Sequence, residues 1–280
     1  MATTTNTCKN CGNQFTGKYC NACGEKLYHD HDKKVLHLFE EVFHFIFHFE
    51  GTFLRTAKTF LTRPGKFSFD YCAGIRRKYF APISFFLTLV VIYLVFPRFQ
   101  GLNMRYEAYV AKEYNYSWYA APIAKKKMSS HHITEKVLAE KYNKESPAIA
   151  KLFLLILIPL SAISLALIFL TSKKFFFDHF IVATEICAFY IFSHFLFLPF
   201  LEFIVSKTIP SLDYIFYDGS WVWLLMLLIY TVFIAVAFKN FYRQKWWIVI
   251  LKSLLFVFIF IYFIRYTYSL LLYYLVMLFL

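Results

Sequence analysis

Residues 246–280 read WWIVILKSLLFVFIFIYFIRYTYSLLLYYLVMLFL and contain neither glycine nor proline across 35 positions. A helix rises 1.5 Å per residue, so this tract would extend about 52 Å, whereas the hydrocarbon core of a bilayer is about 30 Å thick. Because the tract is too long for one crossing and Arg265 interrupts it, we expect a membrane span at 246–264. Residues 266–280 would form a short further helix that is half-inserted or returns across the membrane.

Apolar tracts of similar character recur upstream, and the composition agrees with them. The chain is 59% hydrophobic and only 17% charged, whereas a soluble domain has about a quarter charged residues. A helix needs roughly 20 apolar residues to cross the hydrocarbon core. The further predicted spans are 80–97, 150–171, 180–205 and 220–238. The sequence therefore predicts an all-α polytopic membrane protein with about five to six transmembrane helices, forming a domain at 80–280.

The orientation follows from the charges between the spans. Lys173 and Lys174 lie in one short connection and three basic residues lie in 239–245, whereas 206–219 carries one. Basic connections stay in the cytoplasm, and no apolar signal segment lies near the start. We therefore expect a cytoplasmic N-terminus and an extracytoplasmic loop at 98–149, although this loop carries nine basic residues. The net charge of +13 is then explained by contact with the lipid bilayer, and a nucleic-acid partner is unlikely.

Four cysteines lie close together in CKNCGNQFTGKYCNACG, residues 8–24. Cys8-x-x-Cys11 and Cys20-x-x-Cys23 form two knuckles, each followed by a glycine that permits the positive φ of the curl. Four thiolates in a tetrahedral array are typical of a closed structural Zn²⁺ site. Disulfides are disfavoured in the cytoplasm, and the spacing is not the usual one for an iron–sulfur cluster. We therefore predict a zinc ribbon at 1–27.

Residues 28–79 combine an amphipathic helix with a basic segment that leads into the membrane. The helix at 35–61 mixes apolar and charged positions, so we expect it to lie in the membrane interface. Four polar residues of this helix lie along one stripe of its surface: His37, Glu41, His44 and His48. They form either the polar side of the interfacial helix or a second metal or proton site. The basic residues that follow would contact lipid headgroups or anchor the first span: Arg63, Arg76, Arg77 and Lys78.

The third predicted span contains ionisable residues, which are costly within a membrane and are functional candidates. Glu185 and His194 lie nine positions apart, about 13 Å along a helix and on roughly opposite sides. They would form a possible intramembrane polar site. One interpretation is a proton or ion relay, and the other is that each pairs with neighbouring polar groups or with Lys252.

The residues between the ribbon and the first span resemble a bacterial membrane family known as domain of unknown function 3667. The resemblance rests on the cysteine knuckles followed by Thr56, Arg63-Pro64-Gly65, Tyr71, Gly74, Arg76, Tyr79 and Pro82. Glu25 departs from the family pattern, beside the cysteines but not as a ligand. The resemblance implies an N-terminal zinc ribbon, several spans and the bacterial inner (cytoplasmic) membrane. It implies no activity.

Three functions remain open. The first is a non-enzymatic scaffold or adaptor whose cytoplasmic ribbon contacts a protein partner. The second is a transporter or channel that uses Glu185 and His194, and the third is a lipid-handling enzyme that uses the histidine stripe. No hydrolase, kinase, dinucleotide or metalloprotease motif is visible, so nothing positive supports an enzyme. The sequence does not indicate an oligomeric state.

Overall fold

The chain forms two compact units, Met1–Thr52 and Phe53–Leu280, in a computed structural model. The structure describes residues 5–8, 11–23, 51–75, 78–95, 103–111, 115–209 and 220–280. The first unit contains a short antiparallel hairpin of β1 (Thr5–Thr7) and β2 (Gln14–Thr16), with Asn6 opposite Phe15. The Phe15 side chain is buried with Cys8 and Cys20. This small hydrophobic cluster is far too small to stabilise a domain without help.

In the second unit, all regular secondary structure among the described residues is helical. The first helix, α1, covers residues 51–62, of which all but the first two belong to this unit. The helices that follow are α2 (Lys66–Cys72), α3 (Pro82–Val95), α4 (Tyr106–Val110), α5 (Ser117–His131), α6 (Glu135–Phe153), α7 (Leu157–Ile168), α8 (Phe176–Ile191), α9 (Leu198–Thr208), α10 (Ser220–Tyr242), α11 (Trp246–Ile259) and α12 (Arg265–Phe279). The central helix is α8, which packs against α2, α3, α7 and α10.

Three pairs of these helices continue into one another. A 3₁₀ turn (Leu154–Ile156) joins α6 to α7, and a π-helical turn (Phe192–Phe197) joins α8 to α9. A second π-helical turn (Phe260–Ile264) joins α11 to α12. Pro199 follows the first π turn, and proline has no N–H for a helical hydrogen bond and crowds the carbonyl four residues before it. The first π turn therefore has a local cause, whereas the second lies in a tract without proline.

Within the described residues, four helices are long and apolar enough to cross a membrane. They are Glu135–Ile168, Phe176–Thr208, Leu224–Tyr242 and Trp246–Phe279. Many apolar side chains on them point outward, such as Leu228, Leu251 and Phe258, each more than half exposed. The expected first span at 80–97 corresponds to α3, whose 14 residues extend about 21 Å and fall short of the hydrocarbon core. Residues 96–102 lie outside the described part of the chain.

The structure differs from the expected division at Arg265. Residues 246–279 form one continuous helix of 34 residues, about 51 Å long, so 266–280 is not a separate helix that turns back. Its second half, α12, packs on α5 and α6. The hydroxyls of Tyr268 and Tyr273 donate hydrogen bonds to the carbonyls of Ala150 and Ala120, at 2.8 and 3.1 Å. The part of the helix beyond one crossing is therefore stabilised by the segment expected to be a polar loop, of which residues 103–111 and 115–149 are described.

Candidate functional site

The four predicted cysteine ligands converge in the N-terminal unit. Their Sγ atoms all lie within 4.8 Å of one another. The Sγ atoms of Cys8 and Cys23 are 3.5 Å apart, and those of Cys11 and Cys20 are 3.7 Å apart. A tetrahedron with metal–sulfur bonds of about 2.3 Å has sulfur–sulfur edges of about 3.8 Å. The cluster therefore has the size and the donor set to hold one metal ion.

The hairpin and two turns bring these cysteines together. Gly12 has φ +73°, and its N–H donates to the Cys8 carbonyl at 2.9 Å, which closes the first knuckle. The Asn13 amide donates to the Asn21 side-chain oxygen at 2.8 Å and links the two knuckles. Burial acts to raise the pKa of the Cys20 thiol, but the backbone N–H groups of Cys23 and Ala22 outweigh it and lower the pKa to about 6. This favours the thiolate of Cys20, which is the form that binds metal. At Cys11 the backbone N–H of Asn13 acts to lower the pKa, but hydrogen bonds with the other three cysteines and burial outweigh it and raise the pKa to about 12. Metal binding would therefore have to displace the proton of Cys11.

The Pro64-Gly65 turn is held by Glu185, which the sequence had suggested as an intramembrane polar site. The carboxylate accepts hydrogen bonds from the Gly65 N–H at 2.7 Å and from the Ser68 N–H at 3.2 Å. The Ser68 hydroxyl donates a third, short hydrogen bond to it. Both N–H groups belong to the first turn of α2, where backbone donors have no partner within the helix. Glu185 is 1% exposed and is therefore a buried cap for a helix that lies 120 residues earlier in the chain.

The same turn is held from α10. The Asn240 side-chain amide donates to the Pro64 carbonyl at 2.7 Å. Gly65 has φ +79°, and a Cβ atom there would lie 2.8 Å from both the Cα and the carbonyl carbon of Ala237. The close approach of two backbones and the left-handed conformation both require glycine. Neither Asn240 nor Ala237 has a local sequence signal that would have revealed this contact.

A second network fixes the end of α2. Asp70 accepts hydrogen bonds from Lys66 Nζ at 2.6 Å and from the Tyr79 hydroxyl at 2.8 Å. Burial acts to raise the pKa of Asp70, but these two donors outweigh it and lower the pKa below its ordinary value. Burial and the neighbouring Asp70 carboxylate raise the pKa of Tyr79. The Thr56 hydroxyl accepts a hydrogen bond from the Phe80 N–H at 2.8 Å, so the chain is closed into a compact loop between α1 and α3.

The predicted lipid-contacting residues are only partly covered by the described residues. Arg63 and Lys78 are exposed, and Lys78 Nζ lies 5.2 Å from the centre of the Tyr79 ring. Arg76 and Arg77 lie outside the described residues, as do His37, Glu41, His44 and His48. Exposed cations beside the apolar helices suit contact with lipid phosphates, and this role stays a prediction.

Glu185 and His194 do not share a site. Glu185 contacts α2, whereas the His194 ring bonds through Nδ1 to the Ser193 hydroxyl at 2.9 Å and lies beside Tyr190, with 4.5 Å between ring centres. His194 lines a small cavity that also contains Arg265. The two residues therefore have different partners, and neither forms a hydrogen bond or ion pair with Lys252, whose Nζ lies 4.3 Å from the centre of the Phe169 ring.

The comparisons with known proteins support the resemblance to a family and add no activity. The sequence profile of the family described as "Protein of unknown function (DUF3667)" matches residues 50–94. No curated protein and no solved structure matches the chain. The matched segment contains α1, the Pro64-Gly65 turn, α2 and all but the last residue of α3. The resemblance expected from Thr56, Gly65 and Tyr79 is confirmed, and the cysteine cluster is compatible with a zinc ribbon.

Proposed function

We propose that this chain is a non-enzymatic adaptor of the bacterial inner membrane that displays a zinc ribbon to a cytoplasmic protein partner. The observation that carries the proposal is the closure of the cysteine cluster, in which all four Sγ atoms lie within 4.8 Å of one another. Four thiolates fill the tetrahedral shell of Zn²⁺ and leave no position for water or substrate. Such a site stabilises a fold and does not activate a reactant.

In this proposal the N-terminal unit folds only when it binds zinc. The first unit has a hydrophobic cluster of only Cys8, Phe15 and Cys20 among its described residues, so the free energy of metal binding would supply most of its stability. A module that folds only when loaded presents its exposed surface, including Tyr19 at 61% exposure, only in the zinc-bound state. Exposed tyrosines are common in protein interfaces, which favours a protein partner.

The first test is metal content. Purified full-length protein should contain about one zinc per chain, and the variant carrying Cys8→Ser and Cys20→Ser should lose it. Cys72→Ser is the matched control, because Cys72 is half-buried in the helical unit and is not part of the cluster. Equal zinc in the double variant and the control would contradict the ligand assignment.

The second test asks whether the ribbon recruits a partner. Full-length wild type, the double cysteine variant and Cys72→Ser are purified in mild detergent, and the associated proteins are quantified. The adaptor proposal expects a protein that binds wild type and Cys72→Ser, is lost from the double variant, and binds again when both purified components are mixed. If every associated protein remains on the double variant, the ribbon has no adaptor role.

The transporter alternative has less support. Three donors from Gly65 and Ser68 satisfy the Glu185 carboxylate, which suits a structural anchor better than a relay that must release and rebind protons. The helix that would carry the histidine stripe of a lipid-handling enzyme lies outside the described residues up to position 50, so no geometry supports that alternative.

A further inference from the structure

A small cavity lies where the two π-helical turns of the second unit meet. It has a volume of about 30 Å³ and is lined by Tyr190, His194, Leu227, Tyr230, Phe260, Ile261 and Arg265. His194 belongs to the π turn at Phe192–Phe197, Phe260 and Ile261 belong to the π turn at Phe260–Ile264, and Arg265 follows directly. π-helical turns cost stability relative to a regular helix and occur often at functional sites. Pro199 explains the first of these turns, whereas the turn at Phe260–Ile264, which lines the cavity, has no proline to account for it.

Two polar groups at this cavity lack hydrogen-bond partners among the described residues. Arg265 forms no ion pair and donates no hydrogen bond to any described residue. The Tyr230 hydroxyl is buried without a hydrogen-bond partner in the described part of the chain, although Tyr230 is only 3% exposed. Leaving a buried hydroxyl unpaired is unfavourable, and an arginine at a membrane helix is retained where it pairs or binds something. Both groups can donate a hydrogen bond, so the missing component is an acceptor.

The surroundings select against a cation. The rings of Tyr190, Tyr230 and Phe260 pack edge to face or tilted, with centres 5.1 to 5.8 Å apart. Aromatic faces can attract cations, but the permanent charge of Arg265 repels one, and no carboxylate of the described residues lines the cavity. Ring edges carry partial positive charge and tolerate an anion.

The volume of the cavity and its depth in the membrane further limit which ligands can bind. A water molecule needs roughly 10–15 Å³ of such volume, so the cavity admits a group the size of about two waters and excludes a bulky phosphate ester. Arg265 lies 19 residues after Trp246 (265 − 246), about 28 Å along the helix and close to the 30 Å thickness of the hydrocarbon. Trp246 is half exposed and suits one membrane boundary, so the cavity lies near the opposite boundary.

We propose that Arg265 and Tyr230 form a binding site for one small, singly charged anionic group between the two π turns. The shared chemistry is a compact acceptor such as a free halide or the carboxylate of a membrane-soluble acid. The Arg265 guanidinium supplies the charge and the Tyr230 hydroxyl donates a hydrogen bond to the bound group.

The test measures thermal unfolding of the full-length protein in phosphatidylcholine nanodiscs. One arm titrates chloride against gluconate at constant ionic strength, and the other adds a few mole per cent of oleate against oleyl alcohol. The probes are applied to wild type, Arg265→Gln, Tyr230→Phe and the control Arg105→Gln, whose arginine is exposed directly before α4. The apparent affinity is obtained from the dependence of the unfolding midpoint on ligand concentration.

We expect wild type and Arg105→Gln to be stabilised equally by at least one of the two anions. Arg265→Gln should weaken that effect about tenfold or more, and Tyr230→Phe should weaken it several-fold, as for a lost hydrogen bond to a charged group. Without anion, Tyr230→Phe should be neutral or more stable than wild type, because it removes an unpaired buried hydroxyl. This change of sign distinguishes a ligand site from a packing role.

The two arms identify the source of the group. Stabilisation by chloride alone assigns a free ion, and stabilisation by oleate but not oleyl alcohol assigns a lipid-soluble acid. If neither anion stabilises wild type, or if Tyr230→Phe responds as wild type does, the proposal is overturned. The second criterion holds even if Arg265→Gln does not fold.

Discussion

At the scale of single residues, Gly65 is the one described glycine of residues 50–94 at which a Cβ atom would meet another part of the chain. Its N–H donates a hydrogen bond to Glu185, and its Cα lies against the backbone of Ala237. Gly74 shares its left-handed conformation, with φ +92°, but has nothing within 4 Å of the position of a Cβ atom. Substituting Gly65 and Gly74 in turn therefore separates the effect of a strained backbone from the effect of a steric clash.

We predict that Gly65→Ala lowers the free energy of unfolding far more than Gly74→Ala does. Gly74→Ala should cost about 1–2 kcal/mol for the left-handed conformation, and Gly65→Ala should cost that amount plus the separation of α2 from α10. Thermal unfolding of both variants in the same detergent measures the difference. If both variants lost the same free energy of unfolding, the backbone of Gly65 would not lie close to that of Ala237 in solution.

Asp70 makes the stability of the same segment depend on pH. The pKa of Asp70 is lowered in the folded protein, because the hydrogen bonds from Lys66 and Tyr79 outweigh its burial. The stability that it contributes is therefore fully present above the ordinary aspartate pKa, and it is lost as the pH falls through the lowered folded value.

We expect Asp70→Asn to reduce stability at neutral pH and to flatten the loss of stability in acid. The gap in unfolding midpoint between wild type and variant should narrow as the pH falls below about 4. Glu145→Gln, which changes an exposed carboxylate on α6, is the control. A gap that stays constant from neutral to acid pH would show that the Asp70 carboxylate gains nothing from its partners.

Sequence reasoning found many of these residues but not their partners. Glu185 stood out as a carboxylate in an apolar tract, and Gly65 stood out in a familiar motif, yet 120 residues separate them. Helical periodicity relates positions three or four apart and carries no information on contacts over such distances. The four cysteines were predictable because their ligand spacing is local.

At the scale of elements, the two 34-residue helices, Glu135–Ile168 and Trp246–Phe279, are the main departure from the expected topology. Hydropathy predicted their apolar parts, but it gave no reason for a helix to continue past Arg265. The cause is tertiary: α12 packs on α5 and α6, where Tyr268 and Tyr273 bond to backbone carbonyls. The π turn after Phe260 has no proline or glycine near it, so no local signal could predict it.

We predict that Tyr268→Phe combined with Tyr273→Phe loosens α5 and α6 while leaving the membrane helices intact. Each lost hydrogen bond should cost about 1 kcal/mol, and proteolysis between residues 117 and 153 should become faster. Tyr274→Phe is the matched control, since Tyr274 is half exposed on the same helix. Unchanged cleavage in the double variant would rule out α12 as the support of this segment.

At the scale of the whole molecule, orientation decides which compartment meets the ribbon. Our proposal puts the N-terminal unit and the 169–175 connection in the cytoplasm, and α5 on the other side. Lys173 and Lys174 near the start of α8 carry this assignment, since basic residues are retained in the cytoplasm.

Added cysteines test the orientation in intact cells, on a parent that lacks Cys72 and Cys187 and keeps only the four cluster cysteines, whose own labelling in that parent is subtracted. An impermeant thiol reagent should label Ser129→Cys and should not label Thr171→Cys, both positions being exposed. Permeabilised cells, in which both should react, provide the control. The reverse pattern would turn the ribbon outward and exclude a cytoplasmic partner.

The turn at Pro64-Gly65 also imposes an order on biosynthesis. Its amide groups emerge from the ribosome 120 residues before Glu185, and its carbonyl emerges 176 residues before Asn240. At about 5–20 residues per second, the turn waits roughly 6–24 s for its first partner and 9–35 s for its second. A chain that stops before α8 keeps these polar groups open beside apolar helices. The turn can therefore be closed fully only after the ribosome has passed Asn240, and it stays open while the earlier helices are being synthesised.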